Sequence, residues 1–133
     1  VVFRCSQAST MCSYLVRLLY PPKKDMEVLG EIGEGLVIYH GHGTVIAPYR
    51  IGKNFSVYQG VTIGRNAKPG WEINNPIIGD NVTVFTNAVV AGGITIGDNV
   101  TIGAGAVVMK DVPANSIVMG NPCVIREKQP SGV

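Results

Sequence analysis

Small aliphatic residues recur at every sixth position through the second half of the chain. In one register the hexads begin at Ile78, Val84, Val90, Ile96, Ile102 and Val108. The residues four places further on are also small or β-branched: Val82, Ala88, Ile94, Val100, Ala106 and Val112. β-branched residues favour strands, and one Gly or Asn per hexad suits a turn. The pattern predicts an all-β fold of triangular coils, each of about 18 residues, stacked about 4.8 Å apart.

The same rhythm extends towards the N-terminus, with two interruptions. Further hexad positions are Ile32, Ile38, Ile51, Val57 and Ile63. The step from Ile38 to Ile51 is 13 residues, so the coil is irregular there. The step from Ile63 to Ile78 is 15 residues and contains Gly, Pro, Asn and the only Trp. We expect residues 65–76 to form a protruding loop, because departures from a repeat usually map to loops on the binding face.

Composition and length predict one domain with few charged partners. The 133 residues carry a net charge of +2, which does not favour nucleic acid as a partner. Three Cys without CxxC spacing indicate a reduced, cytoplasmic setting. Residues 1–24 predict a short amphipathic helix and no stable membrane insertion, since charged residues interrupt the apolar stretch. Residues 25–126 would form the β-helix, and residues 127–133 a C-terminal tail.

Candidate chemistry gathers at the first interruption. The stretch "YHGHG" places His40 and His42, the chain's only histidines, in a Gly-rich turn. Histidine is the usual general base near neutral pH, and it needs an orienting partner. Asp25 lies 15 residues before His40, nearly one circuit of the coil, which would bring it beneath that histidine. Spacing alone leaves other carboxylates open as partners, namely Glu27, Glu31 and Glu34.

Four stretches carry a resemblance to a known family: "IGEGLVIYHGHGTVI", "SVYQGVTIG", "IGDNVTIGAGAVV" and "VPANSIVMGNPCVI". They resemble the hexapeptide-repeat acyltransferases, and most of all serine O-acetyltransferases and the colanic-acid-type polysaccharide acetyltransferases. The resemblance implies a left-handed parallel β-helix and a homotrimer. It also implies acetyl-CoA as co-substrate, direct acetyl transfer to a hydroxyl, and no metal.

The resemblance also implies roles for individual residues. His40 would be the general base and Asp25 its partner, whereas His42 would contact the substrate. Backbone N–H groups at Gly60 or Gly64 would hold the oxyanion. The cofactor contacts implied by the family pattern are Gly64, Arg65, Asn66, Thr86 and Ala104.

The acceptor is predicted from departures from the serine pattern. Tyr39 stands where the serine enzymes carry Asp, and Asn74-Asn75 stand where they carry Arg-His. Neutral groups suit a sugar or polysaccharide precursor better than a zwitterion, and a sugar could stack on Tyr39 or Trp71. The main expectation is therefore acetylation of a sugar hydroxyl. Serine acetylation and a non-catalytic β-helix are the alternatives, whereas a γ-type carbonic anhydrase is disfavoured because it requires three His around zinc.

Overall fold

The computed structural model describes residues 25–66, 68–70 and 72–129 of the chain. The predicted N-terminal helix over residues 1–24 lies outside these residues, as does Trp71. No helix in the described ranges is long and apolar enough to cross a membrane.

Fifteen short strands run through the described residues. In chain order they are β1 Met26–Val28, β2 Glu31–Ile32, β3 Val37–Ile38, β4 Thr44–Ile46, β5 Arg50–Ile51, β6 Ser56–Val57, β7 Thr62–Gly64, β8 Ile77–Ile78, β9 Thr83–Val84, β10 Val89–Ala91, β11 Thr95–Ile96, β12 Thr101–Ile102, β13 Val107–Val108, β14 Ser116–Met119 and β15 Val124–Glu127. They are short because each hexad supplies a turn before a longer strand can form.

Every third strand pairs in parallel, which produces three sheets that form the faces of a triangular helix. The first face is β1-β4-β7-β10-β13, the second is β2-β5-β8-β11, and the third is β3-β6-β9-β12-β14-β15. In the regular part the register is 18 residues, as Val84 opposite Ile102 shows. The predicted left-handed parallel β-helix of 18-residue coils is confirmed.

The interior of the helix is a column of stacked aliphatic side chains. All twelve hexad positions predicted between Ile78 and Val112 are at most 3% exposed. Phe55 is the largest fully buried side chain of the column. Ile32, at the open lower end, is only half-buried because the described residues place no coil beneath it. Burial of this column supplies the hydrophobic stabilisation of the fold.

Turns at one corner are built from asparagine. Asn54, Asn81, Asn99 and Asn115 all have φ between 54° and 56°, a left-handed conformation that Asn tolerates better than most residues. Their side chains also bond along the corner, since Asn54 Nδ2 donates to Asn81 Oδ1 at 3.1 Å and Asn99 Nδ2 donates to Asn115 Oδ1 at 2.8 Å. The corner stacks because each coil repeats one turn geometry.

The coil stack ends at an antiparallel strand. Strand β15 pairs with β14 in the opposite direction, with Arg126 opposite Ile117. Lys128 then donates its Nζ to Asn99 Oδ1 at 3.0 Å and its backbone N–H to the Asn115 carbonyl at 2.8 Å. The charged segment around residue 127 therefore starts within a strand and closes over the asparagine corner.

Candidate functional site

The histidine turn connects β3 to β4 and is longer than the equivalent turn one coil above. Ile38 pairs with Val57, and Val45 pairs with Thr62. The lower coil thus uses two more residues than the upper one to span the same corner. The extra length is accommodated by a tight reversal, in which the His42 N–H donates to the His40 carbonyl and His40 takes a φ of 59°. Both histidine side chains are exposed there.

Asp25 contacts His42. Its Oδ2 atom lies 2.7 Å from His42 Nδ1, and the two side chains are 46% and 67% exposed. This contact holds the ring tautomer in which Nδ1 carries the hydrogen and leaves Nε2 with a lone pair facing away from the carboxylate.

The expected pair of Asp25 and His40 is not the one that forms. Strand pairing sets Met26 opposite Thr44, so Asp25 lies level with Gly43, directly beside His42. His40 is three residues earlier in the turn, and the count of 15 residues fell short of the real coil. The His40 ring has no hydrogen-bond partner among the described residues. Three other carboxylates considered as partners are exposed: Glu27, Glu31 and Glu34.

A ladder of backbone hydrogen bonds rises from the histidine turn along the same corner. The Gly60 N–H donates to the His42 carbonyl at 2.9 Å, and the Asn87 N–H donates to the Gln59 carbonyl at 3.1 Å. One coil higher, the Gly105 N–H donates to the Thr86 carbonyl at 2.9 Å. Thr86 and Ala104 therefore occupy this corner, above the histidines. Because its N–H is already bonded, Gly60 is not the oxyanion donor suggested above.

The other expected cofactor residues lie at a different corner. Gly64 ends β7, and Arg65 and Asn66 lead into the loop before β8. The histidine turn enters the first face of the triangle, whereas this loop leaves it. A methyl group added at Gly64 would have no described atom within 4 Å, so this corner is open. One chain does not bring the two groups of residues together.

The two loop asparagines hold the loop itself. Asn75 Nδ2 donates to the Ala47 carbonyl at 2.6 Å, and Asn74 Oδ1 accepts the Lys68 N–H at 3.3 Å. The Asn74 carbonyl also accepts the Asn66 N–H at 3.1 Å. The side chains expected to contact the acceptor are thus engaged in fixing the base of the loop.

Sequence reasoning missed an aromatic stack beside the turn. The Tyr39 and Tyr58 ring centroids lie 4.5 Å apart at 16°, and those of Tyr58 and Phe85 lie 4.9 Å apart at 25°. Each ring directly follows a buried hexad residue in three successive coils, which was the available signal. Tyr39 is 42% exposed and forms the free end of the stack, next to His40.

A cavity of about 270 Å³ lies at the opposite end of the β-helix. It is lined by Val107, Met109, Lys110, Asn121, Pro122 and Cys123. Within the described ranges no group of three or more His, Cys, Asp or Glu side chains could hold a metal ion.

Comparisons with known proteins agree with this architecture. Residues 75–110 match the bacterial transferase hexapeptide (six repeats) family. The serine acetyltransferase of Staphylococcus xylosus is 48% identical over 93 residues, which are 69% of this chain and 43% of that protein.

Solved structures extend the similarity. Neisseria gonorrhoeae serine acetyltransferase in complex with serine superposes with a TM-score of 0.66 at 38% identity, covering 73% of this chain and 39% of that one. A serine acetyltransferase in complex with CoA gives 0.65 at 30% identity, covering 73% and 39%. The chain spans less than half the length of these relatives. It belongs to the hexapeptide-repeat acetyltransferases that fold as left-handed parallel β-helices.

Proposed function

We propose that this chain is an acetyl-CoA-dependent O-acetyltransferase. The observation that carries the proposal is the contact of Asp25 with His42 at the foot of an open corner. A carboxylate-oriented imidazole is the group needed to deprotonate a hydroxyl. The similar serine acetyltransferase in complex with CoA supports acetyl-CoA as the donor.

The transfer proceeds without a covalent enzyme intermediate. The imidazole Nε2 takes the proton of the acceptor hydroxyl as the oxygen attacks the thioester carbonyl. The tetrahedral intermediate then collapses, the C–S bond breaks, and the imidazolium returns the proton to the CoA sulfur. Asp25 holds the ring tautomer and offsets the positive charge that the ring acquires. The products are an acetyl ester and free CoA.

Two histidines compete for the role of base. The geometry favours His42, because it is the one in contact with Asp25. The resemblance to the serine enzymes favours His40, which falls at the family's catalytic position. We propose His42 as the base and retain His40 as a group that faces the acceptor, and matched alanine variants decide between them.

Acetyl-CoA would lie in a groove between two copies of the chain. Thr86 and Ala104 would line one wall, and Gly64, Arg65 and Asn66 of a neighbouring copy would line the other. This arrangement follows from their separation onto two corners that flank one face. Closed three-fold symmetry brings such corners together, so we propose a homotrimer. The cavity beside Lys110 would accommodate the nucleotide end, where its ammonium suits a phosphate.

Serine is the acceptor that the comparisons favour. The relatives are named serine acetyltransferases, and one is in complex with serine. The expectation of a sugar relied partly on Asn74 and Asn75, which the structure engages in holding the loop. Tyr39 still favours a sugar as the second candidate, because its exposed ring offers a stacking surface where the serine enzymes carry a charge.

The test is a coupled assay of free thiol release from acetyl-CoA. L-serine is compared with a panel of monosaccharides and glycan repeat units, each as kcat/KM. We expect L-serine to be the best acceptor. A sugar with a higher kcat/KM would restore the glycan hypothesis. Binding of acetyl-CoA with no thiol release for any acceptor would instead identify a non-catalytic β-helix.

A further inference from the structure

One buried polar atom near the histidine turn has no partner. The side-chain oxygen of Gln59, Oε1, is inaccessible to solvent and accepts no hydrogen bond from any described residue. An acceptor left in this state costs about 1–3 kcal/mol. Buried polar atoms without partners are few in native proteins, so each one asks for a donor.

Gln59 lies directly over the histidine turn. On one side the Tyr58 ring stacks on Tyr39, and on the other the Gly60 N–H bonds to the His42 carbonyl. These two contacts bracket Gln59 above the segment that contains His40. Thr86 occupies the equivalent position one coil higher, since Val57 pairs with Val84.

His40 is the neighbour with a donor to spare. A neutral imidazole carries one ring N–H, and the His40 ring has no hydrogen-bond partner among the described residues. The His40 turn has two residues more than its counterpart and is exposed, so its side chains have room to rotate. Thr86 also has a hydroxyl, but its coil is held in regular register on both sides.

We propose that Gln59 is a positioning residue for His40. Its Oε1 accepts a hydrogen bond from one ring N–H of His40, which leaves the opposite ring nitrogen as a lone pair that faces the acyl acceptor. His42 and His40 would then each have an acceptor of their own, Asp25 and Gln59. The hydrogen bond stands without the proposed function; only its relevance to the acceptor depends on the acetyltransferase activity.

Nitrogen NMR of the histidine rings tests this directly, because it distinguishes protonated from unprotonated ring nitrogens. The full chain is measured at a pH where both rings are neutral. We expect His40 in one tautomer in the wild type and in a mixture of tautomers in Gln59→Leu. Gln59→Glu, which keeps an acceptor oxygen, should restore the single tautomer. Gln129→Leu and Thr86→Val are the controls, and neither should change the His40 signals.

The outcomes separate this proposal from the proposed function. If His40 has the same tautomer distribution in wild type and Gln59→Leu, with both proteins folded by thermal melting, the positioning role is wrong. His42 signals should stay unchanged in every variant, because Asp25 orients that ring. In the thiol assay, Gln59→Leu should lower kcat/KM by about tenfold or more, as misplacement of a reacting group does. A wild type inactive on every acceptor would refute the activity and leave the NMR result valid.

Discussion

The upper coils and the lowest coil obey the same repeat but differ in what they leave unsatisfied. Between Ile77 and Val108, strands pair in regular register, and backbone groups at the corners bond to the coil above or below. The lowest coil has two surplus residues at its histidine turn. That turn exposes two imidazoles and lies under the unpartnered oxygen of Gln59. Regular stacking uses its polar groups for structure, whereas the irregular coil leaves polar groups available for chemistry.

The largest effect expected is on activity, from the irregular turn. His42→Ala should lower kcat by about 10²- to 10⁴-fold, the usual contribution of a general base. His40→Ala, the matched variant two residues away, should have a smaller effect. Steady-state kinetics with acetyl-CoA measure both, and thermal melting should show both folded. A larger loss in His40→Ala would assign the base to the histidine favoured by the resemblance.

Truncation in the regular column should affect stability instead. Ile102 is fully buried, so Ile102→Ala should lower the free energy of unfolding by about 2–5 kcal/mol through lost burial and a cavity. Denaturant unfolding measures the loss. The contact of Asp25 with His42 should persist, because it lies several coils below. Equal loss of activity and stability at a temperature where the variant is folded would contradict this separation.

Glycine positions distinguish the two regions more finely. A methyl group at Gly97 would lie 2.8 Å from the Ala114 Cα atom of the next coil, so Gly97→Ala should cost about 1–3 kcal/mol. Gly64→Ala is the control for stability, because its methyl group would meet no described atom within 4 Å. It should melt like the wild type while raising the KM for acetyl-CoA. An unchanged KM would remove Gly64 from the proposed groove.

The smallest effect concerns the base of the loop. Asn75→Ala removes the hydrogen bond to the Ala47 carbonyl and should cost about 0.5–1.5 kcal/mol. Asn66→Ala is the matched control, since the hydrogen bond of Asn66 comes from its backbone. Unfolding curves compare the two variants. If Asn75→Ala is neutral in stability yet changes the KM of the acceptor, the side chain contacts substrate after all.

Much of the fold could be predicted because it is local and repeated. The hexad positions from Ile78 to Val112 proved buried, and Asn81, Asn87 and Asn99 adopt the left-handed turns expected of them. Each hexad carries its own strand and turn residues, so an error in one would be visible against the others. The protruding segment between Gly64 and Ile77 was visible as a break in the same count.

The site could be located from the sequence but not assembled. The sequence placed the chemistry at Asp25 and the "YHGHG" turn, and placed Thr86 and Ala104 on the corner above it. It did not show that Asn74 and Asn75 hold the loop, because those hydrogen bonds depend on the path of residues 65–76. It also did not show that Tyr39, Tyr58 and Phe85 stack, although their spacing carried the signal.

By itself the sequence determined the coil, its core and its corners, because a six-residue repeat encodes strand, turn and inward-facing residue at short range. Tertiary structure decided which histidine meets Asp25. That choice depends on the pairing of Met26 with Thr44 across a full coil and on two surplus residues in the turn. It also placed Gln59 above His40 without a partner. Such contacts join residues from different coils, and a shift of two positions is enough to exchange one histidine for the other.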